Sequence, residues 1–201
     1  MTKKYILTDV PMPIRTERLV IFPMLPEHAE ALYHAKLESI DHLRPWMAWA
    51  AETGSLDDQK EMIIRKYAEF VLREEMMLLA FTHEGEFVVA TGFHDIDWRV
   101  PRASIGYWCR KSAVGNGYVT ETANALIRYG FEVLGFRKII INMDSENTAS
   151  ENVALRLNLT KEYEELGGLV TLHEGGLRTK RSYCCFDTSR LPPLDVTWGK
   201  A

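Results

Sequence analysis

The spacing of apolar residues changes several times along the chain, and each stretch of constant spacing predicts one element. Residues 14–22 begin polar and finish apolar before a proline, which favours a strand. Apolar residues then recur at helical spacing after Pro26 and again after Ser55. This pattern predicts two helices, the first with a proline at its start and the second with Ser55 as its N-cap. An aromatic-rich bend at 43–49 separates the two helices.

Short apolar runs predict the other strands. Residues 77–81 and 87–93 flank the turn at 83–86 and predict an antiparallel hairpin. The remaining predicted strands cover residues 103–109, 138–143, 169–172 and 183–186. Helices are predicted to follow Thr120 and residues 146–150, so the whole order is that of a mixed α/β (α+β) domain rather than a regular alternation. We expect an N-terminal arm at 1–13, a single domain at 14–188 and a loose C-terminal tail at 189–201.

A glycine-containing loop lies between the strand at 103–109 and the next helix. Gly115 and Gly117 allow the backbone to approach a ligand closely, and Thr120 is the predicted N-cap of a helix that ends at Gly135. Free N–H groups at a helix start, together with the positive end of the helix dipole, form an anion site. A simple connecting turn is the alternative interpretation.

Composition and charge narrow the function classes. The chain has 201 residues, 46% of them hydrophobic, and a formal net charge of -4, which is typical of one globular domain and gives no electrostatic reason for binding nucleic acid. No apolar run approaches the roughly 20 residues that cross a bilayer, so no membrane association is expected. Three cysteines and scattered histidines favour a reducing, cytoplasmic location and no metal site.

Five segments occur in one order along the chain. They are Arg15-Thr16-Glu17-Arg18-Leu19, Leu43-Arg44-Pro45-Trp46-Met47, Ile105-Gly106-Tyr107-Trp108, Gly115-Asn116-Gly117-Tyr118-Val119-Thr120-Glu121 and Asn147-Thr148-Ala149-Ser150. With these segments most of the chain resembles the GNAT-superfamily acetyltransferases, in particular the branch of the ribosomal-protein alanine N-acetyltransferases. Val114 and Val119 depart from the family loop, which commonly has Gln or Arg and a small residue there. Leu157-Asn158-Leu159 replaces the usual Leu-Gly-Phe.

The resemblance implies a fold and a co-substrate. The fold is a central, mostly antiparallel sheet of about seven strands flanked by four helices, in which two splayed strands form a cleft for acetyl-CoA. The resemblance implies that a primary amine, either a protein N-terminus or a small molecule, attacks the acetyl group directly in a ternary complex. The coenzyme-binding residues implied are Tyr107, Trp108, Cys109, Val114, Gly115, Asn116, Gly117, Tyr118, Val119, Thr120, Asn147 and Ser150.

Several side chains are candidates for catalysis or acceptor binding, each with an alternative. Ser150 is either the acid that protonates the leaving thiolate or a helix N-cap. His94 and Asp95 are candidate bases, and His94 a candidate acceptor contact, against the alternative of a solvated strand edge. Trp46 and Trp49 line the acceptor pocket or pack in the core.

The cysteine at the strand end and the protein as a whole also allow more than one interpretation. Cys109 is expected to be a small buried strand residue rather than an acyl-accepting thiol, and a backbone N–H near Cys109 is expected to face the thioester oxygen. A non-catalytic coenzyme A sensor is one alternative function. A dinucleotide-binding protein is another, although Thr120 replaces the third glycine of that motif. The late strands are a candidate homodimer contact.

Overall fold

The computed structural model describes residues 5–51, 54–170 and 175–199. Its helices are α1 (Ala29–Leu43), α2 (Leu56–Leu72), α3 (Tyr118–Tyr129) and α4 (Thr148–Arg156). Its strands are β1 (Ile14–Arg15), β2 (Leu19–Pro23), β3 (Met76–Thr82), β4 (Phe87–Asp97), β5 (Arg102–Cys109), β6 (Lys138–Asp144), β7 (Thr160–Val170), β8 (Leu177–Cys185) and β9 (Thr197–Trp198).

All nine strands belong to one open sheet, in the order β7-β8-β6-β5-β4-β3-β2-β1-β9. Every neighbouring pair is antiparallel except β5 and β6. The mixed fold with a mostly antiparallel sheet and four helices is therefore confirmed. Because repeated parallel βαβ units are absent from the described part of the chain, the dinucleotide-binding alternative is wrong.

The nine strands exceed the expected seven because the first predicted strand is divided in two and because β9 lies in the segment predicted as a tail. The strand predicted at 14–22 is a hairpin of β1 and β2, because Thr16 turns the chain: its N–H donates to Leu19 O at 2.9 Å and its hydroxyl accepts from Leu19 N–H at 3.0 Å. The strand predicted at 169–172 is the end of β7, which begins at Thr160; residues 171 and 172 lie outside the described residues. β7 is also an edge strand, and the homodimer contact predicted for the late strands stays a prediction.

The helices cover both faces of the sheet. A large cluster of buried residues joins α3 and α4 to one face, with Leu126 and Ile127 fully buried. A second cluster joins α1 and α2 to the other face through Leu32 and Ile63. None of the described helices combines the length and apolar character needed to span a bilayer.

The helix boundaries follow the sequence signals in two places and depart from them in a third. Ser55 caps α2, because its hydroxyl accepts the N–H of Asp58 at 3.2 Å. After α3 the chain makes a π-helical turn that ends at Gly135, where φ is 75°. The prediction of Thr120 as N-cap is wrong: α3 begins at Tyr118, and Gly117 occupies the capping position with φ of 79°. The loop that contains the two glycines therefore leads directly into the first turn of α3.

The segment predicted as a loose tail packs against the domain. β9 pairs with β1, and the Trp198 ring meets the ring of Tyr129 edge-on with centroids 5.7 Å apart. The Pro192 carbonyl accepts hydrogen bonds from Asn124 and Arg128 of α3, both at 3.0 Å. These contacts hold the tail beside α3, so the expectation of a loose segment is wrong.

Candidate active site

A cleft opens where the two parallel strands separate. β5 and β6 pair only over residues 102–104 and 138–140, after which their remaining residues have no register with each other. The cleft has a volume of about 1240 Å³ and is lined by residues of both strands, the 113–121 loop, α4 and the bend at 43–47. The predicted splay of two strands is therefore present, and it leaves the β6-facing edge of β5 available for a ligand.

Backbone donors project into this gap from β5. The Arg110 N–H donates to Val88 O on β4 at 2.9 Å. In an antiparallel pair the residues alternate between facing the partner strand and facing away. The N–H groups of Tyr107 and Cys109 consequently point away from β4, towards the gap.

The glycine loop presents a second set of donors. Gly115 has a φ of 88° and Gly117 a φ of 79°, values that favour glycine. The first helical hydrogen bond runs from Glu121 N–H to Gly117 O, at 3.1 Å. Within the described part of the chain, the N–H groups of residues 115–120 donate to no backbone or side-chain acceptor. Six free donors at the positive end of a helix fit a phosphate group.

Two side chains brace this loop, and one of them, Arg18, also lines the cleft. Arg18, in the turn between β1 and β2, contacts the Glu121 carboxylate through Nε at 2.7 Å and donates to Asn116 O at 3.0 Å. The Thr16 hydroxyl donates to the same carboxylate at 2.6 Å. The predicted loop side chains Val114, Tyr118, Val119 and Thr120 also line the cleft.

Tyr107 and Ser150 form a hydroxyl pair across the cleft. The Tyr107 hydroxyl lies 3.0 Å from Ser150 Oγ and 3.3 Å from Ser150 O. Burial raises the pKa of Tyr107 to about 12, so the phenol stays protonated at neutral pH. Two neutral hydroxyls in hydrogen-bond contact can pass a proton from one to the other.

The N-cap interpretation of Ser150 is wrong. Asn147 caps α4, because its Oδ1 accepts the Ser150 backbone N–H at 3.0 Å, and Ser150 is the third residue of the helix. The Ser150 hydroxyl is therefore not used in capping. Both Asn147 and Ser150 line the cleft.

The aromatic candidates divide between the cleft and the layer behind it. Trp46 and Trp108 line the cleft, whereas Trp49 lies behind them with its ring 5.5 Å from that of Trp108. The Arg178 guanidinium of β8 lies 5.8 Å from the Trp46 ring and 3.1 Å from Asp144. The part of the cleft beside Trp46 thus combines an aromatic wall with an ion pair.

The candidate bases lie beside the cleft and not in its lining. His94 Nδ1 is 2.9 Å from the Asp95 carboxylate, and Asp95 occupies a strand irregularity with φ of 50°. A Cβ built on Gly106, which lines the cleft, would lie 3.2 Å from His94 Nε2. His94 therefore packs against the backbone of a cleft residue, and its part in catalysis stays a prediction.

A histidine that the sequence analysis missed does line the cleft. His42, in the last turn of α1, contacts Cys109 O through Nε2 at 3.1 Å. Burial lowers the pKa of His42, and its buried Nδ1 has no hydrogen-bond partner among the described residues. Burial also raises the pKa of the Cys109 thiol to about 11, which keeps it protonated and disfavours acyl transfer to it. No local sequence signal pairs His42 with a strand residue 67 positions later.

Comparisons with known proteins agree with this geometry. The family model of the acetyltransferase (GNAT) domain matches residues 18–160. YdaF of Bacillus subtilis (strain 168) is 29% identical over 157 residues, which cover 76% of this chain and 84% of that protein. The ribosomal-protein-serine acetyltransferase of Escherichia coli (strain K12) is 24% identical over 141 residues, 70% of this chain and 78% of that protein.

A solved structure shares the fold. RimL, a ribosomal L7/L12 alpha-N-protein acetyltransferase in complex with coenzyme A, has a TM-score of 0.80 at 21% identity, covering 87% of this chain and 97% of that chain. The family match spans more than half of the sequence and includes the glycine loop and the strands β5 and β6. The chain therefore belongs to the acetyltransferase (GNAT) family and is an N-acetyltransferase rather than a non-catalytic coenzyme A sensor.

Proposed function

We propose that this enzyme transfers the acetyl group of acetyl-CoA to the N-terminal amine of a peptide or protein, in a ternary complex. The observation that carries the proposal is the opening between β5 and β6, which lies beside six free loop amides. Acetyl-CoA, when bound, supplies a diphosphate for these amides and a reactive thioester for the amine.

The residues of the cleft suit this co-substrate. The amides of residues 115–120 would hold the diphosphate, and the free edge of β5 would pair with the amide-containing arm of the coenzyme. The N–H of Cys109 points into the gap, where it would stabilise negative charge on the thioester oxygen. The departures from the family loop at Val114 and Val119 do not affect this proposal, because backbone N–H groups would bind the diphosphate.

The proton transfers are assigned to hydroxyl and imidazole groups. Ser150 would protonate the leaving thiolate, with Tyr107 donating to Ser150 Oγ and leaving the serine proton free for the cleft. His94 would accept the amine proton through a bridging water, because its ring lies against Gly106 at the cleft wall. Asp95, 2.9 Å from His94 Nδ1, would orient the imidazole.

A peptide acceptor is favoured by the relatives. The Escherichia coli relative and RimL are both named for acetylation of ribosomal proteins, and RimL for the alpha-amino group. The acceptor side of the cleft includes Trp46 and the Asp144–Arg178 pair, which offer stacking and polar contacts to an extended peptide.

An acceptor screen tests the proposal. Purified protein is mixed with acetyl-CoA and peptides beginning with Ala, Ser or Met, and with spermidine and aminoglycosides as competing acceptor classes. Released thiol gives the rate, and the peptide mass shows whether one acetyl group has been added. We expect turnover with at least one peptide to exceed that with the small amines. Turnover confined to spermidine or an aminoglycoside would contradict the peptide acceptor, and the absence of coenzyme A binding would contradict the whole scheme.

A further inference from the structure

The carboxylate of Glu121 lies in an unusual place for a site that receives an anion. It belongs to the first turn of α3, four residues after Gly117, and its side chain is only 8% exposed. Negative charge in the first turn of a helix is favourable when no ligand is bound. A diphosphate at the neighbouring amides would be repelled by the same charge, since two anions would then share one helix terminus.

Arg18 is placed to remove this conflict. Its Nε and Nη2 contact the Glu121 carboxylate, with Nε at 2.7 Å, and its Nη1 donates to Asn116 O at 3.0 Å. The guanidinium also lies 4.9 Å from the centre of the Tyr118 ring. A single side chain from the β1–β2 turn thus contacts the loop carbonyl, the first-turn ring and the first-turn carboxylate, all about one hundred positions away in sequence.

The planar guanidinium is suited to both tasks. Its fixed fork of donors can bind a carboxylate on one side and a carbonyl on another, which a lysine ammonium cannot do with the same geometry. By drawing the Asn116 carbonyl outward, Arg18 favours the loop conformation in which the N–H groups of residues 115–120 face the cleft. Because Arg18 is positive and Glu121 is negative, their ion pair has no net charge.

We infer that Arg18 is a positioning residue for the coenzyme: it acts through Glu121 and Asn116 to keep the glycine loop open and electrically neutral for the diphosphate. The inference rests on the proposed binding of acetyl-CoA at this loop. It gives the Arg-Thr-Glu-Arg-Leu segment at residues 15–19 a function that the cleft geometry alone does not assign. The β1–β2 turn, near the N-terminus, thereby becomes a part of the coenzyme site.

The test compares single and double variants by calorimetry, with coenzyme A as the ligand. Arg18→Gln leaves the Glu121 charge unpaired beside the diphosphate, and we expect the Kd for coenzyme A to rise about tenfold or more. In Arg18→Gln/Glu121→Gln the charge is gone, and we expect Kd to return to within about threefold of the unmodified enzyme. Arg18→Lys keeps the charge but loses the fork, and we expect an intermediate Kd.

Further readouts separate this function from a purely structural one. The exposed pair Arg65–Glu61 on α2 provides a matched control, since Arg65→Gln removes a similar ion pair far from the loop and should leave Kd unchanged. In steady-state assays Arg18→Gln should raise KM for acetyl-CoA while leaving KM for the acceptor unchanged.

Three results would overturn the inference. An unchanged Kd in Arg18→Gln would show that the brace has no effect on binding. A double variant as weak as Arg18→Gln would show that neutralising the Glu121 charge is not how Arg18 supports coenzyme binding. An Arg18→Gln chain that has lost its far-UV circular dichroism would show that the residue is needed for folding. Absence of coenzyme A binding in the unmodified enzyme would instead contradict the proposed function.

Discussion

Replacement of Ser150 by alanine separates the proposed chemical function from the structural one, because the two depend on different atoms. The capping hydrogen bond of α4 uses the backbone N–H of Ser150 and the side chain of Asn147, at 3.0 Å, and it survives the substitution. The atom removed is Oγ, which lies 3.0 Å from the Tyr107 hydroxyl.

The two expected effects differ greatly in size. A hydrogen bond between neutral groups contributes about 0.5–1.5 kcal/mol to stability, and the Tyr107 hydroxyl keeps Ser150 O as an acceptor at 3.3 Å. We therefore expect Ser150→Ala to lower the free energy of unfolding by about 0.5 kcal/mol. General acid catalysis contributes about 10²–10⁴-fold to a rate, so kcat should fall by about 100-fold or more.

The assay combines thiol release at saturating acetyl-CoA with urea unfolding of the same preparations. Tyr107→Phe removes the other hydroxyl of the pair and should keep part of the activity, since the serine can still donate. Asn147→Ala removes the cap and should cost about 1 kcal/mol of stability while lowering kcat less than Ser150→Ala does. A kcat in Ser150→Ala within about twofold of the unmodified enzyme would refute the assignment of Ser150 as the acid.

Three further predictions concern the candidate base His94, the closely packed Gly92 and the half-buried His42. His94→Ala should lower kcat/KM by about 100-fold, and an unchanged kcat/KM would remove His94 from the mechanism. Gly92→Ala should cost about 3 kcal/mol in urea unfolding, because the new Cβ would lie 2.5 Å from Met76 O and 2.8 Å from Met77 Cα. Gly85→Ala, whose Cβ meets nothing within 4 Å, should cost only about 1 kcal/mol for its positive φ, and an equal cost at both sites would contradict the clash argument. Burial lowers the pKa of His42 below its ordinary value of 6.5, so below that pH the unfolded chain takes up a proton that the folded chain does not. Stability should therefore fall as the pH drops through and below about 6.5, and His42→Gln should lose less stability between about pH 7.5 and 5.5 than the unmodified enzyme. An identical loss in both proteins would show that His42 titrates alike in the folded and unfolded states.

Local sequence signals were sufficient to predict the features whose interacting residues are close together in the chain. Gly115 and Gly117 can adopt positive φ without steric cost, as they do in the loop, and the apolar spacing after them defines one face of α3. Ser55 caps α2 through a residue three positions away. Such features were predictable because both interacting groups lie within one helical turn.

Features that depend on distant partners were not predictable in the same way. The tail looked loose because its partners, Asn124 and Arg128, lie more than 60 positions earlier. The contact between His42 and Cys109 O spans 67 positions. Thr120 carries a good capping side chain, but α3 begins at Tyr118, where the positive φ of Gly117 brings the chain into the helix. Tertiary contacts therefore decided the outcome for the tail and for His42, whereas at the start of α3 two local signals competed and the glycine prevailed.

The pairing of β9 with β1 has a consequence for how the protein is made. Ile14 and Trp198 are neighbours in the sheet although 184 positions separate them, as the register of the two strands shows. On a ribosome, β1 can acquire its outer neighbour only after residue 198 has emerged, so this edge of the sheet remains uncovered until then. Premature termination ahead of this strand would leave a nascent protein with an exposed edge, which is a template for aggregation and a target for chaperones.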